Sequence, residues 1–188
     1  MEVIDRLIPK LNRVKLTLQP PIEESELAQF ESDAGIRIPE DYREFLLRIA
    51  NGGKDDCRLI PLSWWDASYW IDHSQPSMAG QPCLLTQDLE KQGEKWIDHL
   101  KIPNWSKRWD ENDWSPMFGT IAIAEFGCGL FYSMIMTGSL RGRIFIWGDH
   151  MLHPPILMPE VNFGDWFTNV VNAMMNGMPA HFLDGRLR

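Results

Sequence analysis

The sequence predicts a protein that combines helices with an antiparallel sheet. Apolar segments rich in Ile, Phe, Tyr and Trp lie between residues 118 and 148, and glycines separate them. That arrangement is typical of an antiparallel meander. Apolar residues at helical spacing occupy residues 3–49 and the region after Phe163, which indicates helices on both sides of the meander in the chain.

The meander accounts for three predicted strands, Thr120–Glu125, Leu130–Thr137 and Arg143–Trp147. The second strand is apolar on both faces, with Tyr132 and Met134 on one side and Phe131 and Ile135 on the other. We therefore expect a central strand that is covered by other elements on both faces.

Three helices are predicted before the meander. The first lies within residues 1–16 and is shortened or kinked by Pro9. The second covers Glu23–Ala34 and ends at Gly35. The third begins at Pro39, a residue suited to the first helical position. Its apolar stripe consists of Tyr42, Phe45, Leu46 and Ile49. The sequence Asn51-Gly52-Gly53 then ends the helix.

The remaining segments are less regular. Asp55–Trp65 is predicted to be a loop followed by a strand, and a helix is predicted from Thr86 to about His99. Leu152–Pro159 contains three prolines, so we expect an edge strand or an extended cover segment there. A last helix is predicted over Phe163–Asn176.

The bulk properties fit a single globular domain over residues 1–188. The net charge of −8 argues against binding to nucleic acid or to an anionic membrane surface. No apolar stretch approaches the roughly 18 residues that a membrane span needs. The N-terminal residues do not resemble a signal peptide, so we expect a cytoplasmic protein.

No catalytic, cofactor or metal site is predicted. Cys57, Cys83 and Cys128 are far apart and are interpreted as buried free thiols, and a nucleophilic Cys128 between two glycines is the less favoured alternative. His150 and His153 have the spacing of a metal-ligand pair, but no third ligand is evident, and solvated turn residues are the favoured interpretation. We therefore predict a protein that is not an enzyme.

A segment rich in tryptophan and acids is the predicted partner-binding site. Trp is enriched in binding hot spots, and carboxylates can meet Lys or Arg on a partner. The alternative is that these tryptophans cap the core while the acids are solvated. The residues are Trp105, Trp109, Asp110, Glu111, Asp113 and Trp114.

The order of motifs resembles the SUKH superfamily of Smi/Knr-like proteins. The first part of the pattern is an acid, a Gly, an aliphatic-Pro pair, an aromatic helix face and a closing Asn-Gly. In this sequence the matching residues are Glu31, Gly35, Ile38-Pro39, Tyr42 with Phe45 and Leu46, and Asn51-Gly52. The second part is IAEFGCG, an apolar strand, Gly138, Gly142 and Trp147. The resemblance covers about residues 27–174, except for an insertion of about 74–117 that matches no motif.

The resemblance implies an α+β fold with helices packed on a central sheet. It also implies a non-catalytic protein-binding module. Bacterial members resemble immunity proteins that bind and neutralise a toxin domain encoded nearby, often a nuclease or deaminase, so the expected partner is a basic toxin domain. A regulatory or scaffold protein, which fungal members resemble, is the alternative.

Overall fold

The computed structural model describes residues 2–54, 58–67, 77–89, 91, 100, 117–125, 129–148 and 154–178. The described helices are α1 (Glu2–Leu11), α2 (Glu24–Ala34), α3 (Glu40–Arg48), α4 (Leu62–Ala67) and α5 (Phe163–Met175), with a 3-10 turn over Met78–Gly80. The described strands are β1 (Thr17–Leu18), β2 (Gly53–Lys54), β3 (Thr120–Glu125), β4 (Leu130–Ile135), β5 (Ile144–Gly148) and β6 (Ile156–Leu157). The arrangement is α+β. None of the helices in these ranges combines the length and the hydropathy that a membrane-spanning helix requires.

The main sheet has the order β3-β4-β5-β6, and every neighbouring pair is antiparallel. This confirms the predicted meander. β6 is a short strand at the edge beside β5, as the prolines around it predict. β1 and β2 form a separate two-stranded antiparallel sheet.

Both faces of the sheet are covered. On one face, Tyr132, Met134 and Ile144 belong to the main core, together with buried residues of α1, α3 and α5. On the other face, Ile135, Phe145 and Trp147 form a second core. The described residues outside the strands that pack on this second core are Cys83, Leu84, Leu85, Leu89, Leu100, Met117 and Leu140. The prediction of a central strand covered on both sides is confirmed.

Aromatic rings join α3 to α5. The ring centroids of Tyr42 and Phe163 are 4.5 Å apart, and those of Phe45 and Phe167 are 5.1 Å apart. These rings come from the predicted apolar stripes of the two helices, which the helical period places on one face. α1 is short, as the position of Pro9 predicts, and it ends two residues after that proline.

The prediction of a strand within Asp55–Trp65 was wrong in its extent. Leu59 makes a single antiparallel bridge to Ala124, and the Ile60 N–H donates to the Ile123 carbonyl at 2.9 Å. The chain then enters α4 at Leu62. Pro61 lacks the N–H that would continue the pairing and has the backbone angle that suits a helix start.

Part of the insertion is hydrogen-bonded to Gly119 and Thr137, which flank β3 and β4. The Gly119 N–H donates to the Met78 carbonyl at 2.8 Å, and the Cys83 N–H donates to the Thr137 hydroxyl oxygen at 2.9 Å. The same hydroxyl donates to the Gln81 carbonyl at 2.8 Å. Most of the predicted helix from Thr86 to about His99 lies outside the described residues, and Thr86–Leu89 is a turn.

Candidate functional site

The site residues predicted from the sequence lie outside the described residues. These are Trp105, Trp109, Asp110, Glu111, Asp113 and Trp114, and the same holds for Cys57, Cys128, His150 and His153. The proposed roles of all these residues therefore stay predictions.

The described part of the chain contains a cleft of about 460 Å³ between α2 and α4, called here the α2–α4 cleft. Its floor is apolar, and its rim carries two carboxylates together with amides and hydroxyls. The apolar lining residues are Ile22, Phe30 and Leu62, the acids are Glu26 and Asp33, and the neutral polar residues are Ser25, Gln29, Asn51 and Ser63.

The α2 wall follows from helical periodicity. Leu27 and Ala34 are buried in the core on one side of α2. Glu26, Phe30 and Asp33, at i, i+4 and i+7, lie on the adjoining side and line the cleft. The helix begins with a capping box between Glu23 and Glu26, which satisfies backbone N–H groups of the first turn.

The α4 wall is positioned by Asn51 and Gly52. The Asn51 side-chain oxygen accepts a hydrogen bond from the Leu62 N–H at 2.9 Å. Gly52 has a φ of 93°, and a Cβ there would lie 2.8 Å from the Pro61 nitrogen. Any other residue is excluded by the close approach as well as by the backbone angle. The Asn51-Gly52 pair therefore fixes where α4 starts and how close it lies to α2.

An ion network with Glu31 and Arg43 buried at its centre supports α2. The Glu31 carboxylate accepts hydrogen bonds from the Arg37 guanidinium at 2.9 Å, the Ile38 N–H at 2.9 Å and the Arg43 Nε at 3.4 Å. Arg43 also donates to the Glu24 carboxylate, and this hydrogen bond is the main cause that raises the pKa of Arg43. The network ties both ends of α2 to the start of α3.

The chemistry of the cleft favours binding. Its described lining contains no Lys, Arg, His or Cys, so it offers carboxylates, neutral polar groups and apolar surface to a ligand. Within the described ranges no group of three or more His, Cys, Asp and Glu could hold a metal ion. Cys83 lies elsewhere, half-buried, and burial raises the pKa of its thiol, which lowers its reactivity.

Sequence reasoning missed this cleft. The helical spacing of Glu26, Phe30 and Asp33 was visible and marks one mixed face of α2. The opposite wall was not visible, because the apolar pattern around Leu62 and Ser63 predicts a strand. A surface formed by two elements that are distant in the chain depends on their packing, which local patterns do not report.

The family comparison agrees with the resemblance noted above. The model of the SMI1 / KNR4 family (SUKH-1) matches residues 21–169, which include α2, the α2–α4 cleft and the whole main sheet. No curated protein gives a significant match, and no solved structure does. The family match covers most of the chain, and the chain therefore belongs to the SMI1 / KNR4 family (SUKH-1).

Proposed function

We propose that this protein is a non-catalytic, cytoplasmic binding module that neutralises a toxin domain by direct contact. The observation that carries the proposal is the α2–α4 cleft, which combines an apolar floor with an acidic rim on a chain of net charge −8. Protein interfaces commonly combine an apolar centre with a polar rim. Membership of the SUKH-1 family supports a SUKH-type protein, and the immunity role goes beyond it.

The charge of the protein favours a basic partner. Opposite net charges steer two proteins together and raise the association rate, up to about 10⁸–10⁹ M⁻¹s⁻¹ at low salt. A toxin that acts on nucleic acid needs a basic surface to hold its substrate. An acidic inhibitor bound to that surface prevents the nucleic acid from binding there.

The tryptophan and acid segment is a second part of the proposed interface. Trp105, Trp109 and Trp114 supply large apolar surface, and Asp110, Glu111 and Asp113 supply negative charge. An interface of ordinary size buries on the order of 1,600 Å² in total, which is more than one cleft provides. The proposal therefore uses both the cleft and this segment.

A survival experiment tests the proposed function. Candidate toxin domains encoded by neighbouring genes are expressed in cells with or without this protein, and surviving cells are counted. Death without the protein and survival with it is the expected result. Toxicity that the folded protein does not relieve contradicts the immunity role and favours the regulatory or scaffold alternative.

A further inference from the structure

We infer that the α2–α4 cleft receives an extended segment of the partner in which an apolar side chain is flanked by Lys or Arg. That the partner is a toxin rests on the proposed function. The chemistry of the segment follows from the cleft itself.

The floor of the cleft accepts an apolar side chain. Ile22 and Phe30 are half-buried and Leu62 is buried, so the base of the cleft is an apolar surface that is partly accessible. A cavity of about 150 Å³ admits benzene. The cleft, at about 460 Å³, has room for one aliphatic or aromatic side chain together with neighbouring main chain.

The two carboxylates on the rim determine where the positive charges of the partner segment lie. Glu26 and Asp33 are seven positions apart in α2, which corresponds to about 10 Å along the helix axis. Side chains on one face of an extended chain recur at every second residue, so Lys or Arg at i and i+4 flank an apolar residue at i+2 on the same face. The two positively charged residues are about 13 Å apart along the segment, and their long side chains reach both carboxylates.

The spacing of the two acids argues against a metal ion as the occupant. Metal-bound oxygens lie within about 2.6 Å of the ion, and residues about 10 Å apart along the helix axis are poorly placed to share one ion. The acidic rim also repels nucleic acid. Ser25 and Ser63 offer hydrogen-bond partners to the main chain of an extended segment.

The test uses the full chain and a fluorescein-labelled peptide, Gly-Gly-Lys-Gly-Leu-Gly-Lys-Gly-Gly, with binding followed by fluorescence anisotropy. Two comparison peptides replace either the Leu by Gly or both Lys by Glu. We expect the first peptide to bind most tightly and the acidic peptide not to bind. We also expect the affinity of the first peptide to fall as salt rises, because exposed charges are screened.

Three variants locate the binding. Glu26→Gln with Asp33→Asn removes two charges while keeping the hydrogen-bonding capacity used by the capping box and by Gln29. We expect it to weaken binding about tenfold, a few-fold for each exposed pair. Glu40→Gln with Glu125→Gln removes the same charge elsewhere and should change the affinity less than about twofold. Ser63→Trp occupies the cleft and should abolish binding.

The outcomes separate this inference from the immunity role. Failure of the Lys-Leu peptide to bind, or equal binding by all variants, overturns the inference even where the wild type protects cells from the toxin. Binding that follows the predicted order, with loss of protection in the two cleft variants only, supports it. Cleft-specific peptide binding without protection by the wild type upholds the chemistry of the segment and overturns the toxin as its source.

Discussion

The buried carboxylate of Glu31 accepts a hydrogen bond from the backbone N–H of Ile38, at 2.9 Å, across the turn between α2 and α3. The same carboxylate pairs with Arg43 one helical turn into α3. The acid of the family signature therefore has a structural role, since it closes the α2–α3 turn and satisfies a buried guanidinium. Glu31 affects the α2–α4 cleft indirectly, because it holds α2 in place.

Glu31→Ala should strongly destabilise the protein. The change leaves the Ile38 N–H without its acceptor and removes one of the two carboxylates on Arg43. Removing one partner of a buried ion pair costs about 3–5 kcal/mol, and Glu24 keeps the loss near the lower end of that range. Urea unfolding measures the change, with Glu40→Ala at an exposed position as the control. A cost similar to that of the control would contradict the role assigned to Glu31.

Asp41→Ala should destabilise α5 although Asp41 lies in α3. The Asp41 carboxylate accepts a hydrogen bond from the Gly164 N–H at 2.9 Å, in the first turn of α5. The Asn162 side chain caps the Asp165 N–H of the same turn. Loss of such a cap costs about 1 kcal/mol. Asp41→Asn keeps an acceptor and should cost less, and the free energies of unfolding of the two variants compare them directly.

Tyr42→Phe should leave stability at neutral pH unchanged or raise it by up to about 1 kcal/mol. Tyr42 is buried, and no other described residue hydrogen-bonds to its hydroxyl. Removing a buried hydroxyl without a partner removes a desolvation cost. A loss well above 1 kcal/mol on this substitution would show that the hydroxyl is satisfied.

The same variant tests the pH dependence. Burial raises the pKa of Tyr42 in the folded protein above its ordinary value. Above about pH 10 the unfolded chain loses the proton while the folded protein keeps it, so stability falls as pH rises. The wild type should lose up to about 1.4 kcal/mol per pH unit more than Tyr42→Phe in this range. Parallel pH profiles of unfolding would contradict the assigned shift.

Gly119→Ala should be far more damaging than Gly35→Ala. Both glycines have positive φ, 72° and 65°, so both substitutions carry backbone strain of about 1 kcal/mol. A Cβ at Gly35 meets open space, whereas one at Gly119 would lie 2.6 Å from the Cys83 nitrogen and 2.7 Å from the Gln81 carbonyl oxygen. Comparing their melting temperatures tests whether residues 77–89 pack on the sheet as described. Equal losses would contradict that packing.

Changing Asp110, Glu111 and Asp113 together to Ser should slow association with a toxin partner and reduce the salt dependence of the rate. The reason is that exposed charges around an interface act mainly on the encounter of the two proteins. Stopped-flow mixing at several salt concentrations measures both effects. An unchanged rate would remove this segment from the proposed interface.

Local patterns predicted the elements whose apolar residues follow a regular helical or strand period. The stripe of Tyr42 and Phe45 predicted α3, and the glycine-bounded apolar runs predicted β3, β4 and β5. The start of α4 was missed because the Leu62 N–H is capped from a distance by Asn51, a residue that the pattern assigned only to the end of α3. A short apolar run does not distinguish a strand from a buried helix start.

Local sequence patterns also did not predict the hydrogen bonds that single side chains make to distant parts of the chain. Asp41 lies in the first turn of α3, where a negative charge favours its own helix, yet its carboxylate also caps α5. The α2–α4 cleft has the same origin, since α2 was predicted correctly and its opposite wall was not. Hydrogen bonds between residues far apart in the chain determine how the α2 and α4 walls of the cleft are positioned.

The most direct test of the central claim is a titration of a purified toxin domain with this purified protein while the toxin's own activity is measured. Neutralisation by direct contact predicts that activity falls in proportion to added protein and reaches zero at a fixed molar ratio. We expect the Glu40→Gln/Glu125→Gln control to behave like the wild type and the Glu26→Gln/Asp33→Asn variant to require more protein. Full toxin activity in the presence of a large excess of folded wild-type protein would contradict the claim.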